Sequence, residues 1–114
     1  MQNCLIMSAI NLNNILPKEI TEGYFAKLIH TDKMTFSFVE AKAGKVLKEH
    51  SHPHEQVSIM LEGKFQLTLN GEVIVFTKDE VIIIPSNAKH SGLAITNCKL
   101  LDVFYPVREE YKKL

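Results

Sequence analysis

Apolar and polar residues alternate with a period of two along much of this chain. In Lys64–Asn70 the alternation puts Phe65, Leu67 and Leu69 on one side, predicting a strand with those three facing inward. Met34–Glu40 alternates as well, with Met34, Phe36 and Phe38 on one face and Thr35 and Ser37 on the other, a half-buried strand. Gly23–His30 and Val73–Phe76 carry β-favouring residues, and His90–Thr96 and Lys99–Tyr105 complete the strand set. Val81-Ile-Ile-Ile84 is β-branched on both faces, which predicts a strand buried on both sides. Thr31-Asp32-Lys33 reads as a turn, and Asn70-Gly71 is the strongest hairpin signal, a type I′ turn. Asn11–Asn14 is loop-like, and Pro17 forbids a helix through it. Pro106–Leu114 is a short C-terminal helix at most, with acids early and lysines late as the helix dipole prefers. Short strands, tight turns and almost no helix predict an all-β antiparallel barrel or double-sheet jelly roll.

The length, 114 residues, matches a single domain over 1–114, with residues 1–14 as an N-terminal segment, flexible or exchanged between subunits. Thirteen basic and 13 acidic residues cancel. Without a basic stripe, neither nucleic acid nor an acidic membrane surface is an expected partner. Near-neutral charge is compatible with an oligomer. Met1–Ile10 lacks the basic start of a signal peptide, and no apolar run reaches the roughly 20 residues that cross a bilayer. Cys4 and Cys98 lie far apart, so no disulfide framework is indicated and a cytoplasmic location is the default expectation.

The candidate chemistry is concentrated in His50-Ser-His-Pro-His-Glu-Gln56, which holds three of the chain's five histidines. His50 and His52 are two apart, so on an extended segment both imidazoles point to one side. Imidazole suits zinc, iron, nickel and copper, and Gln56 adds a neutral oxygen ligand. Pro53 breaks the ladder after His52 and helps turn Gln56 towards the same point. A solvated, histidine-rich loop is the alternative reading. His30 stands alone near a turn and reads as a surface residue.

The spacing Gly44-x5-His50-x-His52-x3-Gln56-x6-Gly63 resembles the first motif of the cupin superfamily, which usually has Glu where this chain has Gln56. Asp79-Glu-Val-Ile-Ile-Ile-Pro85-Ser-Asn87-Ala-Lys-His90 resembles the second. There the family expects Gly at 79 and 87, Pro at 85 and a metal-binding His at 90. Asn tolerates positive φ better than other non-glycine residues, and Asp is a comparable turn residue. Ala94 stands where the family has Asn. The resemblance implies a cupin-type jelly-roll barrel, often a homodimer. It also implies one divalent transition metal ion (Ni, Zn, Mn or Fe) on His50, His52, Gln56 and His90. Such a ligand set carries no charge, so the ion keeps its own and attracts an anionic or enolate-forming substrate. His54 lies outside the ligand pattern, either behind the ligands or exposed.

Asp102 and Phe104 share one strand face, with Leu101, Val103 and Tyr105 on the other. Arg108 follows Pro106 closely enough to turn back over the barrel mouth, and its planar fork matches a carboxylate. A surface Asp and a surface Arg are the bland alternative. With Gln56 in the first motif, this tail resembles the pectin-degradation cupins. That resemblance implies conversion of 4,5-unsaturated monouronates, released from pectin or alginate, to linear keto forms. It gives Asp102 and Arg108 catalytic roles, and Phe104 and Arg108 the substrate. An Fe(II) cupin dioxygenase is one rival, against which Gln56 in place of Glu weighs. A non-enzymatic metal- or sugar-binding module is the other. Such modules are commonly fused to a DNA-binding domain, for which these residues leave no room.

Overall fold

A computed structural model describes residues 8–114, most of which lie in ten strands. These are β1 (Lys18–Thr21), β2 (Tyr24–His30), β3 (Thr35–Ala41), β4 (Val46–His50), β5 (Glu55–Glu62), β6 (Lys64–Leu69), β7 (Glu72–Thr77), β8 (Val81–Ile84), β9 (His90–Ala94) and β10 (Cys98–Tyr105). All pair antiparallel, in a six-stranded sheet ordered β1-β2-β3-β10-β5-β8 and a four-stranded sheet ordered β4-β9-β6-β7. The two sheets face each other as the expected jelly roll. Single 3-10 turns at Leu12–Asn14 and Glu109–Lys113 are its helical parts, so the C-terminal helix is shorter and tighter than an α-helix. Residues 1–7 of the predicted N-terminal segment, Cys4 among them, lie outside the described residues. Among those described, no helix is long and apolar enough to cross a membrane.

Turn chemistry follows the residues. Asn70 and Gly71 both have positive φ, as a type I′ hairpin requires. Asp79 and Asn87 have φ of 72° and 64°, so they adopt the left-handed conformation for which the motif ordinarily uses glycine.

Cross-strand register sorts the interior of the large sheet into layers. Ala26, Val39, Leu100 and Met60 form one inward-facing rung. The next holds Leu28, Ser37, Asp102, Ser58 and Ile82, and the one beyond it His30, Thr35, Phe104, Gln56 and Ile84. One end of the barrel is therefore apolar, closed by the edge-to-face chain Tyr24–Phe65–Phe76, and the other end is polar. Each large side chain buried at the apolar end contributes about 1.5–3 kcal/mol of transfer free energy. Phe65 and Leu67 of β6 point inward as expected, with Leu69 half-buried.

Two strands correct the alternation reading. In β3 the buried face is Thr35, Ser37, Val39 and Ala41, while Phe36 and Phe38 lie half-buried on the outside. Alternation defines two faces but not which one turns inward, and here the inner face serves a polar cavity. Val81–Ile84 is not buried on both sides: β8 is an edge strand, with Val81 54% and Ile83 61% exposed. β1, with no clear alternation, pairs with β2 at the opposite edge. Cys98 is buried at the start of β10.

Gly63, which closes the first motif, has φ of 99°, and a Cβ there would overlap the carbonyl oxygen of Asn97. Gly63→Ala combines a left-handed penalty of about 1–2 kcal/mol with that overlap. An unfolding free energy from urea titration lowered by at least that much is expected, and an unchanged midpoint contradicts it.

Candidate metal centre

Strand pairing brings the histidines together from distant parts of the chain. His50 ends β4 and His90 begins β9, and the two are register partners. His52 lies in the loop after β4, and Gln56 is the second residue of β5 in the opposing sheet. One nitrogen from each of His50, His52 and His90 lies within 4.8 Å of the others. His52 is 6% and His90 2% exposed, whereas His50 is half-buried at the rim.

Backbone carbonyls decide the tautomers. Nδ1 of His50 lies 2.8 Å from the oxygen of Lys48, that of His52 3.1 Å from His54, and that of His90 2.9 Å from Ala88. A carbonyl can only accept, so each neutral ring carries its proton on Nδ1 and presents an Nε2 lone pair. The Nε2 of His90 is buried with no hydrogen-bond partner. Gln56 Oε1, also an acceptor, sits 3.0 Å from His52 Nε2. Acceptors facing acceptors in a buried pocket fit a cation, and three imidazoles with an amide oxygen fit a divalent transition metal.

The titration state agrees. Burial pulls the His52 pKa down to about 4, with the charges of Arg108 and His90 adding to the effect. Burial lowers His90 too, against the opposing Ala88 carbonyl. Neutral imidazole is the form that binds a metal.

Behind the ligands, Gln56 Nε2 donates to Ser58 Oγ at 3.0 Å, and Ser58 Oγ donates to Asp102 Oδ1 at 2.6 Å. Burial raises the Asp102 carboxyl above its ordinary value, offset in part by the hydrogen bond from Ser58, by the nearby Gln56 amide and by the Arg108 charge. Ser37, beside Asp102 on β3, is buried with an unpartnered hydroxyl.

Arg108 lies over the same cavity, which His50, Gln56, His90, Asp102, Phe104 and Tyr111 help to line. Its guanidinium carbon is 4.9 Å from the Phe104 ring centre and 4.0 Å from that of Tyr111. Its Nε donates to Glu110 at 2.9 Å, and its backbone N–H donates to Thr35 Oγ1 at 2.9 Å. Phe104, 2% exposed, is packed edge-on to His52 and His54, so it supports Arg108 rather than presenting a free ring. The space left is about 60 Å³, room for a few waters.

His54 is buried against Phe104 with Nδ1 unpartnered, behind the ligands and outside their cluster. His30 is half-buried and hydrogen-bonds Thr35 Oγ1 at 2.8 Å, rather than standing free on the surface. Sequence reasoning passed over Ser58 and Tyr111. Ser58 was within reach, because it shares a strand face with Gln56 two positions away. Tyr111 carried no local signal.

Replacing His50 and His52 together by Ala should abolish stoichiometric metal in elemental analysis, and a full equivalent retained contradicts this cage. Chelated wild-type protein should keep its β circular-dichroism spectrum, since the apolar end of the barrel is independent of the site. Its Tm should fall as pH drops from about 6.5 to about 4. Over that window the unfolded chain binds a proton on His52 that the folded chain does not, so acid favours unfolding. His90 and His30, also lowered, act in the same direction, and Asp102, raised, opposes them. A Tm that holds or rises through the window contradicts the burial of neutral imidazoles.

Comparison with known proteins places this geometry. No curated protein sequence matches the chain. Among solved structures, KdgF from Halomonas sp. superposes with a TM-score of 0.85 at 22% identity, covering 91% of this chain and 99% of that one. An RmlC-like cupin from Shewanella frigidimarina superposes with a TM-score of 0.82 at 24% identity, covering 87% and 90%. A salicylate 1,2-dioxygenase variant from Pseudoaminobacter salicylatoxidans gives 0.72 at 19% identity, covering 75% of this chain and 28% of that one. Likeness at these identities shows the fold. The family model for the cupin domain matches residues 37–104, from β3 through the last histidine to Phe104 on β10. With that match and the jelly roll around three convergent histidines, the chain belongs to the cupin family.

Proposed function

We propose that this protein is a metal-dependent enzyme that converts 4,5-unsaturated monouronates from pectin or alginate breakdown to their linear keto forms. One observation carries the reading: a half-buried carboxylate, Asp102, and a guanidinium, Arg108, share a cavity with an uncharged set of metal ligands. A divalent ion and Arg108 together still exceed the negative charges of Asp102 and of Glu110, which pairs with Arg108, so the cavity favours an anion. A uronate supplies a carboxylate for the Arg108 fork and a hemiacetal for Asp102.

When bound, the ion supplies Lewis-acid stabilisation of developing oxyanion charge. Asp102 takes the proton of the anomeric hydroxyl as the bond from the anomeric carbon to the ring oxygen breaks, leaving an aldehyde and an enolate. Return of that proton to C4 of the enolate gives the ketone, so the change is an isomerisation with no redox step. A carboxyl whose pKa is raised by burial suits a proton that leaves and returns. The inner cavity of about 60 Å³ is too small for a whole sugar acid, and a groove of about 310 Å³ that shares His50, Arg108 and Tyr111 with it offers the remaining room.

The partner we propose is a second copy of this chain, on the outer face of the large sheet. Ile29, Phe36, Val103, Val57 and Ile83 line one rung there, and Phe38, Leu101, Ile59 and Val81 the next. Five strands by about six residues make a face of roughly 24 by 20 Å. Two such faces bury about 1,000 Å², the lower bound for a specific interface. Sedimentation should show a dimer that Ile83→Lys weakens, and a monomeric wild type at micromolar concentration contradicts it.

Wild-type protein incubated with lyase-generated unsaturated monouronate should remove the double-bond absorbance without consuming oxygen. Oxygen uptake would favour the Fe(II) dioxygenase reading, and no turnover on any unsaturated monouronate overturns the proposal. Asp102→Asn should lower kcat by about 10²–10⁴ with metal content unchanged. Arg108→Lys keeps the charge but loses the fork, so its effect should fall mainly on KM. Wild-type turnover by Asp102→Asn removes the acid–base assignment.

A further inference from the structure

A glutamine ligand has a weakness that a glutamate lacks. The two ends of its amide are similar in size but opposite in chemistry, and only the oxygen can face a cation. The immediate surroundings favour the wrong end. A flipped Gln56 would place its NH2 group 3.0 Å from the lone pair of His52 Nε2 and donate to it. Something must hold the amide the other way round.

We propose that Ser58 is the residue that does so, a positioning residue that sets which end of Gln56 faces the metal pocket. Ser58 stands directly opposite Asp102 in the β5–β10 ladder, and Gln56 precedes it by two positions on the same face. Its hydroxyl has a single proton, which goes to Asp102 Oδ1 across 2.6 Å, the length of a charge-assisted O–H···O⁻ bond. Only lone pairs then remain for Gln56, whose Nε2 donates to them at 3.0 Å. The chain from Gln56 through Ser58 to Asp102 therefore donates in one direction, leaving Oε1 at the metal end. Ser58 is 4% and Gln56 7% exposed, so water has little access to replace either bond. The inference rests on Gln56 being a metal ligand but on no particular substrate.

The test uses Zn(II) affinity of the full chain, measured by competition with a chromophoric chelator. Six proteins are compared: wild type, Ser58→Ala, Gln56→Glu, the double variant of those two, Ser58→Thr and Gln56→Ala. Ser58→Ala should weaken Zn(II) binding by about 10–100-fold, the usual cost of losing a residue that orients a ligand. In the Gln56→Glu background either carboxylate oxygen can face the ion. There Ser58→Ala should change affinity by no more than about 2-fold, the ordinary scatter of independent sites. Ser58→Thr, which keeps the hydroxyl, should bind within the same margin of wild type and guards against misfolding of the Ala variant. Equal losses in the two backgrounds would overturn the orienting role while leaving the metal site intact. Unchanged affinity in Gln56→Ala would overturn Gln56 as a ligand, and the role of Ser58 with it.

Discussion

Lone pairs turned towards one another at the barrel mouth are the constraint on which the rest of this structure depends. Three imidazoles are held by backbone carbonyls with their Nδ1 protons pointing away from the centre, and an amide oxygen joins them. A buried polar group without a partner costs about 1–3 kcal/mol, so such a cluster is suited to holding a cation. The polar rungs of the large sheet follow from it. Thr35, Ser37, Ser58 and Asp102 occupy inward positions that a simple sandwich would fill with aliphatic residues. The apolar core is displaced to the far end, around Tyr24, Met60, Phe65 and Phe76.

The C-terminal segment completes this division. Residues after β10 fold back so that Arg108 lies on Phe104 and Tyr111, with Thr35 accepting from its backbone. Phe104 is thus part of the wall behind His52 and part of the support beneath Arg108. At the mouth Arg108 pairs directly with Glu110, while the Asp102 carboxyl sits deeper and is held by Ser58 rather than by Arg108. The arrangement keeps the Asp102 carboxyl and the Arg108 guanidinium apart within a single small cavity.

Several of these features could be read along the chain because they depend on local chemistry. Asn70-Gly71 permits positive φ wherever it occurs, and His50, His52 and Gln56 have a spacing that only a few local geometries can satisfy. Alternation in β6 and β10 defined two faces correctly, since a strand's side-chain period is two whatever it packs against. What alternation cannot express is the side on which the partner sheet lies. Phe36 and Phe38 turned outward because the opposite face of β3 lines a polar cavity, and Val81 and Ile83 are exposed because β8 ends its sheet. His90 joins His50 through pairing across 40 residues of chain, and Ser58 meets Asp102 across 44. Those contacts exist only once register is set. Register is a property of two strands together, so the tertiary structure alone decided how the ligands, the serine and the carboxylate meet.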